Sequence, residues 1–221
     1  GWPGFVASLW LTLPMMLALY FLLRMYQLLG RNPTRIGLSA LGVIALTGAA
    51  ACAEIGTCFN DAFVAAGMLG GLFVLMRESA GGERASNWFL AGVLAGAVTG
   101  LKLTAGVYCL GLAGAAFAMP SWRRLPRRLL ALLMGGIVGF GLTYGYWGTL
   151  LFHLHGDPFF PYFNQIFRSP DATLTSHADL RFRQDGIGDV LLVPIRLLHL
   201  THRYSEIRLR DPRLLFGRVG F

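Results

Sequence analysis

NWFLAGVLAGAVTGLKLTAGVYCLGLAGAAFAMP, residues 87–120, is apolar throughout except for one lysine near its middle, Lys102. Lysine and arginine together number 19 in the chain, and every one of them except Lys102 is arginine. An ionisable side chain inside an apolar membrane segment costs several kcal/mol, and by default it marks a functional site. The position of this ammonium relative to a membrane therefore decides both the fold and the function that the sequence predicts.

The composition is typical of a helical membrane protein. Hydrophobic residues make up 55% of the chain and charged residues only 14%, whereas soluble domains carry roughly 25% charged residues. Several apolar runs approach the ~20 residues that span a bilayer. We therefore expect an all-α fold, a polytopic transmembrane helical bundle. The net charge of +8 comes from arginines between the apolar runs, which fix membrane topology and do not indicate a nucleic-acid partner.

The apolar runs predict membrane spans at residues 5–23, 36–53, 63–76 and 129–153. Residues 1–153 then form the transmembrane region. Residues 154–221 add an outer loop, an interfacial helix and a basic tail to the same domain. Because the chain opens on Gly1 and shows no signal-peptide pattern, we expect an internal piece of a longer protein.

Residues 87–120 favour a broken hairpin over a single crossing. One helix over this stretch would have roughly 31 residues and a length of about 46 Å, which is too long for a ~30 Å hydrocarbon core. Arginines flank the stretch at residues 77 and 84 and again at residues 123–128. The positive-inside rule places all of them on the cytoplasmic side only if the chain turns back. Lys102 then lies at the outward tip. Glycines at 92, 96 and 100 predict close packing of helix backbones.

This topology collects candidate site residues on the outer side: Glu54, Asp61, Lys102, Thr104, His155, Asp157 and Asn164. A phosphate held by the Lys102 ammonium is one interpretation, and a structural ion pair is the other. Asp61 opens a predicted helix, so it could also act as a cap. His153 and His155 lie two residues apart and lack the spacing of a helical metal pair, so we predict no metal site.

Three segments resemble bacterial multi-spanning glycosyltransferases of the GT-C type, the relatives of the dolichyl-phosphate-mannose protein mannosyltransferases and the lipid A aminoarabinose transferase. They are GTCFNDAFVAAGMLGGLFVLMRE, AGVLAGAVTGLKLTAGVYCLGL and GDPFFPYFNQIFRSP, within residues 54–170. The resemblance implies an enzyme of the bacterial inner membrane. It would transfer a sugar from a polyprenyl-phosphate carrier to a glycan, lipid or protein acceptor on the periplasmic side.

The resemblance also implies roles for particular residues. Lys102 matches a lysine near the lipid phosphate, with Thr104 beside it, and Asp61 matches an acidic position at the start of an outward-facing span. We expect Asp61 and Glu54 to be the catalytic acids of this chain, and His155, Asp157 and Asn164 to contact substrate. The family's acidic first outer loop would lie before Gly1. Metal dependence varies within the family, which leaves a divalent metal open as the cofactor.

Two other functions fit the same residues. A secondary transporter also uses broken helices and buried charges, although it places them near the midplane between internal repeats. A non-catalytic membrane scaffold would use Lys102 and Asp61 as a structural pair.

Overall fold

The computed structural model describes residues 2–30, 34–47, 60–81, 84–174, 186–189 and 192. All the regular structure in these ranges is helical, which confirms the all-α fold. The helices are α1 (Trp2–Leu29), α2 (Arg35–Thr47), α3 (Asp61–Gly81), α4 (Ala85–Leu101), α5 (Gly106–Ala118), α6 (Leu125–His155) and α7 (Asn164–Phe167). Short 3₁₀ turns at Leu103–Ala105 and Trp122–Arg124 precede α5 and α6. The chain divides into two compact units, Gly1–Leu154 and His155–Phe221.

Two helical segments are long and apolar enough to cross a membrane, Thr12–Leu29 and Trp122–His155. They overlap the first and last predicted spans. The first segment continues six residues beyond its predicted end, and α6 continues two residues beyond its own. The second predicted span begins as α2, and the rest of it lies outside the described residues. The third predicted span lies within α3, where the apolar residues after Asp61 end at Arg77.

The predicted break in residues 87–120 is confirmed, and the placement of Lys102 relative to a membrane stays a prediction. Helix α4 ends at Leu101, and Lys102 is extended, with φ −146° and ψ 102°. The Lys102 amide still donates to Val98 O at 2.9 Å, while its carbonyl accepts from Ala105 N at 2.8 Å. The same residue thus closes one helix and opens the turn into the next. Helices of 17 and 13 residues are about 26 and 20 Å long, each short of a bilayer core.

Trp88 and Ala116 show that the two arms run antiparallel. Trp88 lies in the first turn of α4 and Ala116 in the last turn of α5, yet both belong to one buried cluster. Both are also close to Arg128, which donates to Ala116 O at 3.1 Å and lies 5.9 Å from the Trp88 ring centroid. The arginine-bearing ends of the hairpin therefore meet at one end of the first unit, and the tip at Lys102 lies at the other.

Helices α4 and α6 pack backbone to backbone through glycine. A Cβ at Gly92 or Gly96 would overlap the α6 backbone at Leu132 or Gly136. A Cβ on Gly139 of α6 would in turn overlap the α4 backbone. The predicted small-residue face of α4 is confirmed, and α6 contributes glycines to the same contact. This close approach is the usual basis of small-xxx-small helix pairs.

The core of the first unit lies where α3, α4, α5 and α6 meet, and it combines alanines and leucines with one tryptophan. Its fully buried members include Leu75, Trp88 and Ala91. Helix α1 packs on α3, with the Phe21 ring 5.6 Å from that of Phe73 and against Gly70. Helix α3 in turn packs on α4, with Gly67 against Val98 and Gly71 against Ala91. The two helices therefore run antiparallel, and the start of α3 lies next to the end of α4.

The second unit begins with a tight loop after α6. Gly156 has a φ of +68°, a conformation that glycine adopts without a steric penalty, and the Phe160–Pro161 peptide bond is cis. Phe163 and Arg168, at φ 58° and 54°, flank the single-turn helix α7. The predicted interfacial helix at residues 187–200 lies almost entirely outside the described residues.

Candidate functional site

Lys102 and Asp61 form an ion pair at the tip of the hairpin. The Lys102 ammonium donates to Oδ1 of Asp61 across 41 positions of sequence. Lys102 occupies the break between α4 and α5, and Asp61 is the first residue of α3. Their side chains are 36% and 41% exposed, so a ligand can reach both. A pair this exposed contributes only about 0–1 kcal/mol to stability.

Asn60 fixes the geometry of this pair. Its amide Nδ2 donates to the Leu101 carbonyl at 3.0 Å, which ties the residue before α3 to the last residue of α4. Leu101 precedes Lys102, so the contact holds the two backbones that carry the charges. Sequence reasoning gave Asn60 no role, and this positioning contact with Leu101 is visible only in the structure. The third predicted member, Thr104, is exposed in the 3₁₀ turn two residues after Lys102.

An apolar groove of about 680 Å³ opens among α4, α5 and α6. Its lining includes Gly92 and Gly96 from α4, Leu110 and Ala113 from α5, and Leu133 and Ile137 from α6. Along α6 the lining extends from residue 129 to residue 141, or about 18 Å of helix. At the tip end it includes Thr99, three residues before Lys102. Such a groove suits an extended hydrocarbon chain with one end toward the hairpin tip.

The second unit holds a separate polar cluster around His155. The Nδ1 atom of His155 lies 2.7 Å from Oδ2 of Asp171. The imidazole stacks on the Phe160 ring, with centroids 4.0 Å apart and planes 13° apart. Sequence reasoning singled out His155 and missed Asp171, whose place in a polar segment shows no pattern. The Asp171 carboxylate orients the imidazole of His155, and the Phe160 ring covers one face of that imidazole.

Asp157 and Asn164 are turned into their own loop. Asp157 is fully buried; its Oδ1 accepts from Phe159 N at 2.8 Å, and its Oδ2 is buried without a hydrogen-bond partner in the described part of the chain. The Asn164 side chain donates to Ser169 O and Ala172 O at 3.1 and 2.8 Å and accepts from Ser169 N at 2.6 Å. Both side chains therefore have a loop-building role, and substrate contact stays a prediction for them.

The opposite end of the first unit carries the feature that the sequence interpretation missed. Arg128 is only 3% exposed and donates to the carbonyls of Ala116, Met119 and Pro120. These carbonyls end α5, where backbone acceptors lack helical partners and the helix dipole favours a cation. One arginine of the cluster is therefore a C-terminal cap for the hairpin as well as a topology signal.

Glu54, the second predicted acid, lies outside the described residues. Within the ranges that are described, no three His, Cys, Asp or Glu side chains lie together as a metal site requires. A comparison with protein-family models, with curated proteins and with solved structures finds no match to the chain. What the chain does must therefore be inferred from its own residues.

Proposed function

We propose that this chain is part of a membrane glycosyltransferase that uses a polyprenyl-phosphate-linked sugar and transfers it on the outer face of a bacterial cell membrane. The observation that carries the proposal is the half-exposed pair of Lys102 and Asp61 at the hairpin break, beside an apolar groove. The transfer needs a cation for the donor phosphate, an apolar surface for its hydrocarbon chain and a carboxylate base for the acceptor hydroxyl.

Lys102 is the residue that would hold the donor phosphate. A lysine ammonium is a compact point charge on a flexible stem, and an oxyanion that develops charge in the transition state is stabilised by a pre-positioned cation. Asp61 already places a negative charge where the phosphate would bind. The incoming phosphate would replace the carboxylate as the partner of the ammonium, with the Thr104 hydroxyl beside it.

The replaced carboxylate would then act as the base. In the transfer, an acceptor hydroxyl oxygen forms a bond to the anomeric carbon, and the bond from that carbon to the phosphate oxygen breaks. The electron pair of the broken bond stays on the phosphate, next to Lys102. The hydroxyl proton goes to Asp61, or to Glu54 if that residue reaches the same acceptor. A positioned carboxylate of this kind contributes about 10²–10⁴-fold.

The groove supports a polyprenyl chain as the hydrophobic part of the donor. Its lining is almost wholly apolar and includes residues on both arms of the hairpin. Helix α6 also exposes large apolar side chains, among them Leu130, Leu133 and Leu142. Exposed apolar surface of this extent indicates contact with lipid or with other protein. Both features fit a polytopic membrane bundle with its reactive end at Lys102.

Lys102→Ala tests the proposal. The assay follows sugar transfer from a radiolabelled polyprenyl-phosphate sugar by the full-length protein in proteoliposomes. The Lys102→Ala variant should transfer at least about 100-fold more slowly than the parent protein, since one oxyanion-stabilising group is removed. Membrane insertion should be unchanged because the pair is exposed. Arg84→Ala is the matched control, since it removes an exposed cation at the opposite end of the same helix and should leave transfer intact. Full transfer by Lys102→Ala would refute the role given to the lysine.

A structural scaffold is the second candidate, and the observed Lys102–Asp61 contact favours it directly. A pair that only joins α3 to α4 should tolerate exchange of its charges. The double variant Asp61→Lys, Lys102→Asp would then retain the function of the parent protein, and Lys102→Arg would do so as well. A phosphate site predicts loss in the double variant, because the cation moves onto the other helix.

A further inference from the structure

A second cavity lies at the arginine-bearing end of the first unit. It has a volume of about 200 Å³ and is lined by Ala85, Trp88, Arg124, Arg127 and Arg128. Three arginines thus line one small space between the start of α4 and the start of α6. Nothing in the proposed transfer reaction uses this cavity.

Trp88 gives an independent indication of a ligand. Its side chain is 1% exposed, and its indole Nε1 is buried without a hydrogen-bond acceptor among the described residues. A buried tryptophan N–H usually has an acceptor, and leaving a buried donor unpaired costs about 1–3 kcal/mol. Trp88 lines the cavity, so an acceptor bound there within reach of Nε1 would satisfy this donor.

The other donors around the cavity are also suited to an anion. Helix α4 begins at Ala85, and Arg84 before it makes no side-chain capping bond, so the first-turn amides of a 17-residue helix point toward this end. Arg128 is held in place by the carbonyls that end α5, while Arg127 is exposed. Guanidinium groups and a helix N-terminus together favour phosphate.

We propose that this cavity binds a phosphate group, with Arg124 and Arg127 as ligands, Arg128 as a fixed positive charge and Trp88 Nε1–H as a neutral donor. The group can belong to an anionic phospholipid headgroup or to a free phosphate. Basic pockets between membrane helices commonly hold anionic headgroups. The site lies at the opposite end of α4 from Lys102 and stands independently of the transferase proposal.

The test uses the full chain purified in a neutral detergent. Inorganic phosphate is titrated calorimetrically. Retention of phosphatidic acid, relative to phosphatidylcholine, is measured by native mass spectrometry. Arg127→Gln should weaken binding of the true ligand at least about tenfold, the loss expected for one charge-assisted hydrogen bond. Trp88→Phe should weaken it severalfold. Arg123→Gln, which removes an equally exposed arginine that does not line the cavity, should change it less than twofold.

The two probes separate the sources of the phosphate. Selective retention of phosphatidic acid, lost in Arg127→Gln, identifies a lipid headgroup. Calorimetric binding of inorganic phosphate without lipid selectivity identifies a free anion. Equal weakening by Arg127→Gln and Arg123→Gln would mean diffuse charge attraction and would overturn the site, as would the absence of binding by both probes.

Discussion

Replacing Arg128 by methionine should destabilise the hairpin far more than the same change at its neighbour Arg127. Arg128 is 3% exposed and is hydrogen-bonded to the end of α5, whereas Arg127 is exposed to solvent. Methionine fills most of the volume and removes every donor. The comparison therefore isolates the capping hydrogen bonds and the buried charge from the general loss of one arginine.

The size of the effect follows from the contacts. The Ala116 carbonyl, which accepts from Arg128 at 3.1 Å, belongs to a fully buried residue and would lose its partner, at a cost of about 1–3 kcal/mol. The cation over the Trp88 ring at 5.9 Å contributes about 0.5–2 kcal/mol. The Pro120 carbonyl belongs to an exposed residue and can turn to water. We expect a loss of about 3 kcal/mol, which for a protein of this size corresponds to about 6–12 °C in apparent Tm.

The assay is thermal unfolding of the full chain in detergent and phosphate-free buffer, followed by loss of the monodisperse species on size exclusion. Arg127→Met should stay within about 0.5 kcal/mol of the parent, as exposed substitutions do. Arg128→Lys should fall between the two, since it keeps the charge and loses the planar fork. Equal Tm values for the methionine variants at 127 and 128 would refute the capping role.

Three further outcomes follow from the described contacts. Gly96→Ala should destabilise the first unit by about 1–3 kcal/mol, because the added Cβ overlaps the Gly136 carbonyl and overpacking costs that much. The control Gly145→Ala adds a Cβ that meets nothing within 4 Å, so it should be neutral or stabilising by up to about 1 kcal/mol. Thermal unfolding of the two variants distinguishes these outcomes. Asn164→Ala should speed limited proteolysis of the loop between residues 155 and 174 and leave the donor KM unchanged; a raised KM with normal proteolysis would restore Asn164 as a substrate ligand. Asp157→Asn should keep the loop folded, since Oδ1 still accepts from the Phe159 amide, and loss of transfer in that folded variant would assign the unpaired Oδ2 to substrate.

The hairpin could be predicted from the sequence because two independent constraints agree. A single helix over residues 87–120 is too long for the bilayer core, and the arginines on both flanks require the chain to turn back. The break also coincides with the one charge in the stretch. Glycines at a spacing of four indicate a backbone contact without any knowledge of the partner, which the structure identifies as α6.

The capping role of Arg128 was missed, although a signal for it is present. The four arginines at residues 123–128 look equivalent as topology markers. In the sequence, however, Arg128 is followed by Leu132, Gly135 and Gly139, a spacing of four, three and four that follows one face of a helix, and the structure buries that face. Arg128 is the arginine on that face. Which carbonyls it meets depends on where α5 ends in space, and that is a tertiary fact that local sequence does not contain.

Asn164 has a structural role that the sequence did not predict. Its side-chain amide is hydrogen-bonded to backbone groups five to nine residues later, while the substrate contact expected of it stays a prediction. Turns of this kind satisfy side-chain amides locally. Sequence patterns do not separate an amide used by its own loop from one offered to a ligand, because both occur among prolines, glycines and aromatics.

If Lys102 holds the donor phosphate, as proposed, the contrast with the arginines accounts for its being the only lysine of the chain. At the other end of the hairpin, Arg128 must hold several fixed carbonyls at once, and a planar fork of donors does this well. At the tip, the proposed donor phosphate must displace the Asp61 carboxylate from the Lys102 ammonium and later dissociate. An arginine there would bind the Asp61 carboxylate through two parallel bonds and compete with the phosphate, whereas a lysine offers one mobile charge. The chemistry of exchange, rather than the charge alone, therefore favours lysine at this position, and that is why Lys102→Arg separates a phosphate site from a structural pair.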